Sequence, residues 1–399
     1  MILKEITLNN FRNYEEQKIE FNEKFNFIYG ENGQGKTNIL EAVSLSCLTK
    51  SFLGASESDC LNFNAGNFFI ESRYLNDNGN DEVIGVAYEK FTGKKAVHLN
   101  KSKVSSYSSE IFGRIPAVFL SPQDLEITYG NPSERRKFFD ILISQTSPLY
   151  LSNLKDLVKL VKQKNALFRN YHQHKNISFG ELKDLLQSYN EKFIEVSVEI
   201  IFKRIEFLKE FLKYFTKNFS YLIKNNQTPG ISYDSDALGV ISVNGFDNII
   251  KEKIKTGCDK ICTAKFDDEI QRGTSLFGPQ RDDFVFSLQK NTDTDFFDLK
   301  NHASQGEHKT FLVALKLSEY DYLKDKKETN PVLLLDDVLS ELDENRVSMI
   351  ISHLKEFGQI FLTTTNKGYA ENLSKFYNPS EMKIFKVING KVYIDNNEG

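Results

Sequence analysis

The chain has 399 residues, 40% of them hydrophobic and 27% charged, with 33 Phe, 17 Tyr and no Trp, enough for a sizeable core and more than one domain. Lys+Arg (51) against Asp+Glu (55) leaves a net charge of -4, which excludes a protein that coats DNA by bulk positive charge but leaves room for a local phosphate-binding patch. No run approaches the roughly 18–20 apolar residues of a membrane span, and Met1–Ile6 alternates and carries early charge, unlike a secretory leader; a cytoplasmic protein with free thiols is expected.

The predicted elements begin with strands over residues 2–30. Ile2, Ile6 and Leu8 alternate, Ile19 and Phe21 follow a turn at Arg12-Asn13-Tyr14, and Phe25–Tyr29 runs straight into Gly30. Residues 38–43 have helical composition. Residues 68–120 are β-rich, with a turn at Asp77–Asn80 and a buried strand at Ala117–Leu120. Between Pro148 and Pro229 apolar residues step by three and four (Leu182, Leu185, Leu186, Tyr189, Phe193, Val196, Ile200), the helical period. A break is expected at Ser178-Phe179-Gly180, and the helical stretch is too short and interrupted for a long coiled-coil arm. From about 280 the chain returns to α/β character and ends in short strands over 383–393. Cys258 and Cys262 lack a second Cys/His pair, so they read as one helical turn with two half-buried thiols rather than as a zinc site.

Gly30-Glu31-Asn32-Gly33-Gln34-Gly35-Lys36-Thr37 fits G-x-x-x-x-G-K-[ST], with a strand before and a helix after. Backbone N–H groups of such a loop face a phosphate, Lys36 reaches the β- and γ-phosphates, and the Thr37 hydroxyl can ligate Mg²⁺. Val332–Leu335 is a continuous apolar run, as in a parallel strand buried on both faces, and ends in Asp336-Asp337. Asp336 is the expected Mg²⁺ partner and Asp337 the residue that orients or deprotonates an attacking water. Ala303-Ser304-Gln305-Gly306-Glu307 opens a helix. Alone it is an N-cap; about thirty residues ahead of the Asp336 strand it is similar to the signature motif of ABC-type ATPases, with Ser304 and Gly306 as nucleotide contacts.

Together these motifs resemble the RecF family of ABC/SMC-type ATPase heads. The two nucleotide motifs lie about 300 residues apart, as in split heads. Leu8–Tyr14, Ser121–Leu125, Pro132–Asp140, Gly273–Asp283 and Leu335–Asp343 are all similar to family blocks, so the resemblance spans residues 3 to about 366. Gln280 stands where the family usually has His, and Gln123 where it usually has an acid; Gln123 is either a plain departure or a counterpart of the Q-loop glutamine that reaches Mg²⁺. Arg281-Asp282-Asp283 is expected to form a buried ion-pair network joining two lobes.

The resemblance implies an α/β fold: an ABC-type P-loop ATPase head built from 1–125 and 274–399, with a mostly helical second lobe over 126–273 and no long coiled coil. It implies ATP and Mg²⁺ as cofactors, with Arg12 on the nucleotide phosphates and Lys36 and Asp337 as catalytic residues. Two copies would close on ATP, clamp gapped DNA without sequence specificity and help load recombinase, with RecR, RecO and RecA as the associated proteins. Asp337, shorter than the Glu of most ABC ATPases, implies slow, DNA-stimulated hydrolysis. Thr363–Thr365 either sense the γ-phosphate or simply follow β-propensity. For DNA, residues 151–175 carry Lys155, Lys159, Lys162, Lys164, Arg169 and Lys175 against Asp156, with Lys155, Lys159 and Lys162 on one helical face; Lys94-Lys95, Lys101–Lys103 and Arg135–Lys137 are rival patches. An SMC-type chromosome-organising head would need a long heptad arm, a transporter subunit a compact motif spacing, and a RecF-like nuclease a further cluster of metal-binding acids.

Overall fold

The computed structural model describes residues 1–174, 178–223, 227–241, 250–290, 295–338 and 350–395. It divides into two compact units, Met1–Asp124 with Glu319–Gly399, and Leu125–Ser318.

The first unit is two sheets around one helix. An antiparallel sheet holds β1 (Ile2–Phe11), β2 (Tyr14–Glu20), β4 (Asn67–Leu75), β5 (Asp81–Glu89), β6 (Lys94–Leu99) and β7 (Ser102–Lys103) in the order β2-β1-β4-β5-β6-β7. In β4 every second residue is buried and those between are half-buried or exposed, as in a sheet with one face on the core. The second sheet has the order β16-β15-β3-β14-β13-β8, from β3 (Phe25–Tyr29), β8 (Ala117–Leu120), β13 (Val332–Asp336), β14 (Ile360–Thr364), β15 (Met382–Ile388) and β16 (Lys391–Ile394). Here β15, β3, β14, β13 and β8 run parallel. Every residue of β3, β8, β13 and β14 is buried, which explains the unbroken apolar runs of β8 and Val332–Leu335; Asn26, Asp336, Thr363 and Thr364 are the buried polar residues among them. Helix α1 (Lys36–Leu48) is buried over nearly its whole length, and one hydrophobic cluster joins it to both sheets through Leu8, Phe11, Ile28, Leu40, Val43, Leu334 and Phe361.

The second unit is helical around a small sheet. Helices α2 (Pro132–Thr146), α3 (Pro148–His174), α4 (Phe179–Leu222) and α5 (Lys251–Ala264) accompany the antiparallel order β10-β9-β11-β12, from β9 (Thr228–Ser235), β10 (Gly239–Ile241), β11 (Asp283–Gln289) and β12 (Phe297–Asp298). The break expected near Ser178 is there: Ser178 caps α4 and exchanges a reciprocal pair of hydrogen bonds with Glu181. Buried residues run along α4 from Leu182 to Phe219, so it packs into its own unit over its length instead of projecting as an arm. The core of this unit is aromatic: Phe139 packs against Phe207, Phe211 and Phe284, and Phe311 against Phe215, Phe219 and Phe286.

Three expectations need correction. Residues 274–318, assigned above to the head lobe, cluster with the second unit, because β11 pairs along its full length with β9; a strand takes its address from its ladder partner, which no local pattern names. Lys164, counted among the exposed cations, is fully buried: its Nζ lies 3.4 Å from Glu269 and over the rings of Phe193 (4.7 Å) and Phe277 (5.3 Å). Cys258 and Cys262 are buried rather than half-buried, and burial pushes the Cys258 thiol up to about 12. Among the described residues no helix is long and apolar enough to cross a membrane.

The Arg281-Asp282-Asp283 block does form a buried polar network, but one internal to the second unit. Asp283 receives two hydrogen bonds from Arg135, at 2.9 and 2.7 Å. Asp282, 3% exposed, accepts from the Tyr233 hydroxyl and lies 3.9 Å from Arg204, which also holds Asp140 and the carbonyl of Pro279. Burial pushes the Asp282 carboxyl up to about 6, against the opposing charge of Arg204. Arg281 closes the turn by donating twice to the carbonyl of Ser275.

Candidate nucleotide site

The loop after β3 is held by geometry that only its own residues permit. Gly30 passes so close to β15 that a Cβ would stand 2.5 Å from the carbonyl oxygen of Val387. Gly35 has φ +116° and a Cβ there would meet the Asn13 side chain at 2.6 Å, so both positions are closed to other residues. The Asn13 amide donates to the Gln34 carbonyl at 2.7 Å and the Tyr14 hydroxyl to the Gly35 carbonyl at 3.0 Å. Gly390 N–H donates to the Gln34 carbonyl at 3.1 Å, and Asn389 N–H to the Gln34 side chain at 2.5 Å. Glu31, Asn32 and Gly33 remain exposed at the tip, where backbone N–H groups and the α1 N-terminus offer an anion site.

Lys36 is 7% exposed and its ammonium donates to the carbonyls of Gly30 and Glu31, both at 2.8 Å. Burial lowers its pKa, with Asp337 and Asp336 opposing. The Thr37 hydroxyl lies 2.9 Å from both oxygens of Asp336, a contact between residues 299 positions apart that places the end of β13 beside the start of α1. Burial raises the Asp336 pKa, while the hydroxyls of Thr363 and Thr37 hold it down. Asp337 has φ +48°, a left-handed conformation uncommon outside glycine. Its N–H is shared by the carbonyl and hydroxyl oxygens of Thr363, each at 3.1 Å.

These groups frame one cavity of about 340 Å³, lined by Asn32, Gly33, Gly35–Thr37, Gln123, Asp336 and Asp337. Gln123 therefore shares the cavity with the loop and both acids. Thr37, Asp336 and Gln123 make a hard-oxygen donor set of the kind Mg²⁺ takes. The fit is electrostatic as well: Asp336 is a buried carboxylate whose described hydrogen-bond partners are hydroxyls, and a divalent cation would offset its burial.

Arg12, expected at the phosphates, is not among the residues that line this cavity; it is anchored to α1. Its guanidinium meets Glu41 of α1 with Nε at 2.6 Å and Nη2 at 2.7 Å, and Nη1 donates to the Asp59 carbonyl at 2.7 Å. Glu41 is fully buried and also accepts from Ser51 at 2.6 Å. Thr363 and Thr364 are buried and Thr365 exposed; Thr363 donates to Asp336 at 2.6 Å, a positioning contact for which β-propensity alone gives no reason. Ser304 lies in the second unit at the head of the helix Gln305–Lys327, where Ser304 and Glu307 cap each other at 2.8 and 3.3 Å. Ser304 is exposed and Gly306 half-buried. Leu339–Asp343, the end of the Leu335–Asp343 block, lie outside the described residues.

Nothing in the local sequence named the Arg12 partner of Glu41 or the loop-holding contacts of Asn13 and Tyr14. A carboxylate inside the apolar run Ile39–Val43 is the one legible sign that Glu41 had to find a cationic partner. Asn13 and Tyr14 carry no such sign, because their partners are loop carbonyls twenty-one residues away.

The model of the RecF/RecN/SMC N terminal domain family matches residues 2–384. The DNA replication and repair protein RecF of Chloroherpeton thalassium is 38% identical over 374 residues, 93% of this chain and 97% of that one. A solved structure of the recombination mediator protein RecF-ATPrS in the RecFOR pathway superposes with a TM-score of 0.85 at 31% identity, covering 99% of this chain and 98% of that one. One of RecF-ATP in the same pathway gives 0.82 at 31% identity, covering 98% and 99%. The fold is an ABC-type ATPase head, with no long coiled coil among the described residues.

Proposed function

This chain belongs to the RecF family, and from that premise we propose that it is an ATP-binding DNA-repair protein whose two-headed, ATP-closed form clamps DNA. The observation that carries the reading is the single cavity shared by the glycine loop, Gln123, Asp336 and Asp337, together with the ATP-type ligands named for its structural relatives.

In this reading the loop N–H groups and the α1 N-terminus hold the β- and γ-phosphates. Lys36 turns from the carbonyls of Gly30 and Glu31 to the phosphates, gaining anionic partners in place of neutral ones. Thr37, Asp336 and Gln123 would hold Mg²⁺, which would supply charge neutralisation for phosphoryl transfer. Asp337 orients the attacking water, held by Thr363 in its left-handed backbone. An aspartate reaches less far than a glutamate, so hydrolysis is slow and acts as a timer. Arg12, fixed by Glu41, presents its remaining N–H groups to the nucleotide.

Ser304 and Gly306 act on the nucleotide of a second copy, so that ATP joins two heads. An exposed serine at the N-terminus of a 23-residue helix supports this. On the outer surface of α3, Lys155, Lys159 and Lys162 are all exposed and supply phosphate contacts; Arg169 is exposed beyond them, Lys164 is withdrawn into the core, and Lys175 lies outside the described residues. By family, RecR and RecO are the partners and RecA loading at gapped DNA the output.

The deciding experiment is light scattering with Mg-ATP, with and without gapped DNA, on wild type, Lys36→Ala and Ser304→Arg. The expected result is an ATP-dependent dimer, stabilised by DNA and lost in both variants. A wild type that stays monomeric with ATP and DNA overturns the two-headed clamp.

A further inference from the structure

A second cavity lies at the opposite end of the parallel sheet from the glycine loop. Strands β3, β14 and β15 are parallel neighbours. Lys24 immediately precedes β3, residues 355–357 lead into β14, and residues 374–381 lead into β15. These connections meet at the strands' N-terminal ends, one five-residue strand or roughly 17 Å from Gly30. They enclose about 410 Å³.

The lining is cationic and polar: Lys24, Lys355 and Lys375, with Tyr377, Asn378 and one carboxylate, Glu381. Lys24 is fixed, its ammonium donating to the carbonyls of Lys355 at 2.9 Å and Phe357 at 2.5 Å, which leaves one of its three N–H groups. Burial lowers its pKa; Glu381 opposes that and the charge of Lys324 adds to it. Glu381 is committed to Asn378, accepting from its N–H and its side-chain amide, both at 3.0 Å. Tyr377 is 3% exposed and packs on Phe25 at 4.7 Å, yet its hydroxyl has no hydrogen-bond partner among the described residues. Buried hydroxyls are nearly always paired, so an orphan in the wall of a cationic cavity marks a missing acceptor.

We propose that this cavity binds a phosphate group, with Lys355 and Lys375 supplying charge and the Tyr377 hydroxyl donating to a phosphate oxygen. Three cations and a hydroxyl suit a dianion with several acceptor oxygens better than a carboxylate with two. A recess admits a terminal phosphate, whether of a phosphorylated small molecule or of a DNA strand end, more readily than an internal diester. The site is separate from the nucleotide cavity and stands or falls independently of it.

The test is calorimetric titration of full-length Lys36→Ala, which removes the phosphate grip of the glycine loop, with inorganic phosphate at constant ionic strength. Saturable binding is expected, weakened at least about tenfold when Lys355→Gln and Lys375→Gln are added, and about tenfold by Tyr377→Phe, which deletes a single charged-group hydrogen bond. Circular dichroism confirms that each variant folds. A matched pair of oligonucleotides, with and without a 5′-phosphate, separates the sources: lysine-dependent preference for the phosphorylated strand assigns a DNA end, and binding of inorganic phosphate without that preference assigns a small molecule. The proposal is overturned by the absence of saturable binding below about 10 mM, by binding indifferent to these substitutions, or by equal affinity for acetate.

Discussion

Arg12 and Glu41 form a two-point ion pair, Nε to Oε2 at 2.6 Å and Nη2 to Oε1 at 2.7 Å, in which the carboxylate is fully buried and the guanidinium partly exposed. The pair ties the turn after β1 to the helix that starts with Lys36. Arg12 itself sits at φ +52°, a left-handed conformation that the pair and the Asp59 carbonyl hold in place. Removing the arginine strands a buried charge. Arg12→Ala is expected to destabilise the protein by about 3 kcal/mol, and adding Glu41→Gln to return part of that loss. Thermal denaturation of the two variants checks it; no recovery in the double variant would mean that the pair is not the source of the cost.

Thr363 should behave as a positioning residue. Thr363→Val keeps the β-branched shape but removes the hydroxyl from Asp336 and from Asp337 N–H. Outer contacts of this kind are worth about tenfold or more in metal affinity. The expected outcome is a tenfold rise in the Mg²⁺ concentration needed for half-maximal nucleotide binding, restored by Thr363→Ser. Because burial raises the Asp336 pKa and Mg²⁺ needs the ionised carboxylate, the same titration should show affinity falling with acidity at a pH above the ordinary aspartate range.

Asp282 makes stability depend on pH with a definite sign. Its carboxyl is pushed up to about 6 from 3.8 by burial, so between those values the folded state binds the proton more tightly than the unfolded one. Its contribution is greatest below about pH 4 and is lost as pH rises through about 6, on the order of 3 kcal/mol at most. Asp282→Asn should therefore flatten the pH dependence of Tm in this window. An unchanged slope would count against the buried carboxyl as its cause.

The lysines of α3 should separate into two kinds. Substituting Lys155, Lys159 or Lys162 by Ala is expected to weaken DNA binding uniformly across sequences and to reduce the salt slope by about 1 each, with Tm unchanged. Lys164→Ala should do the reverse, costing about 3 kcal/mol of stability by stranding Glu269. Filter binding over a salt series, with Tm measured in parallel, distinguishes them.

What the sequence determined by itself was whatever is written in consecutive residues. The glycine loop and its flanking strand and helix occupy 25–48 without interruption. The unbroken apolar runs of β8 and β13 record burial on both faces, and the three-and-four stepping of α4 records its buried stripe. Each is a short-range consequence of backbone geometry, so each is legible along the chain.

Tertiary structure alone decided which distant groups meet. Nothing near Thr37 names Asp336, 299 residues on; nothing near Lys164 names Glu269, so periodicity placed it with its exposed neighbours. β11 looked like part of the head until its ladder with β9 drew it into the second unit. The physical reason is common to all three: pairing, burial and charge compensation are fixed by what arrives from elsewhere in the fold, and a local pattern records only that a residue can be buried or charged, not which partner makes that state affordable.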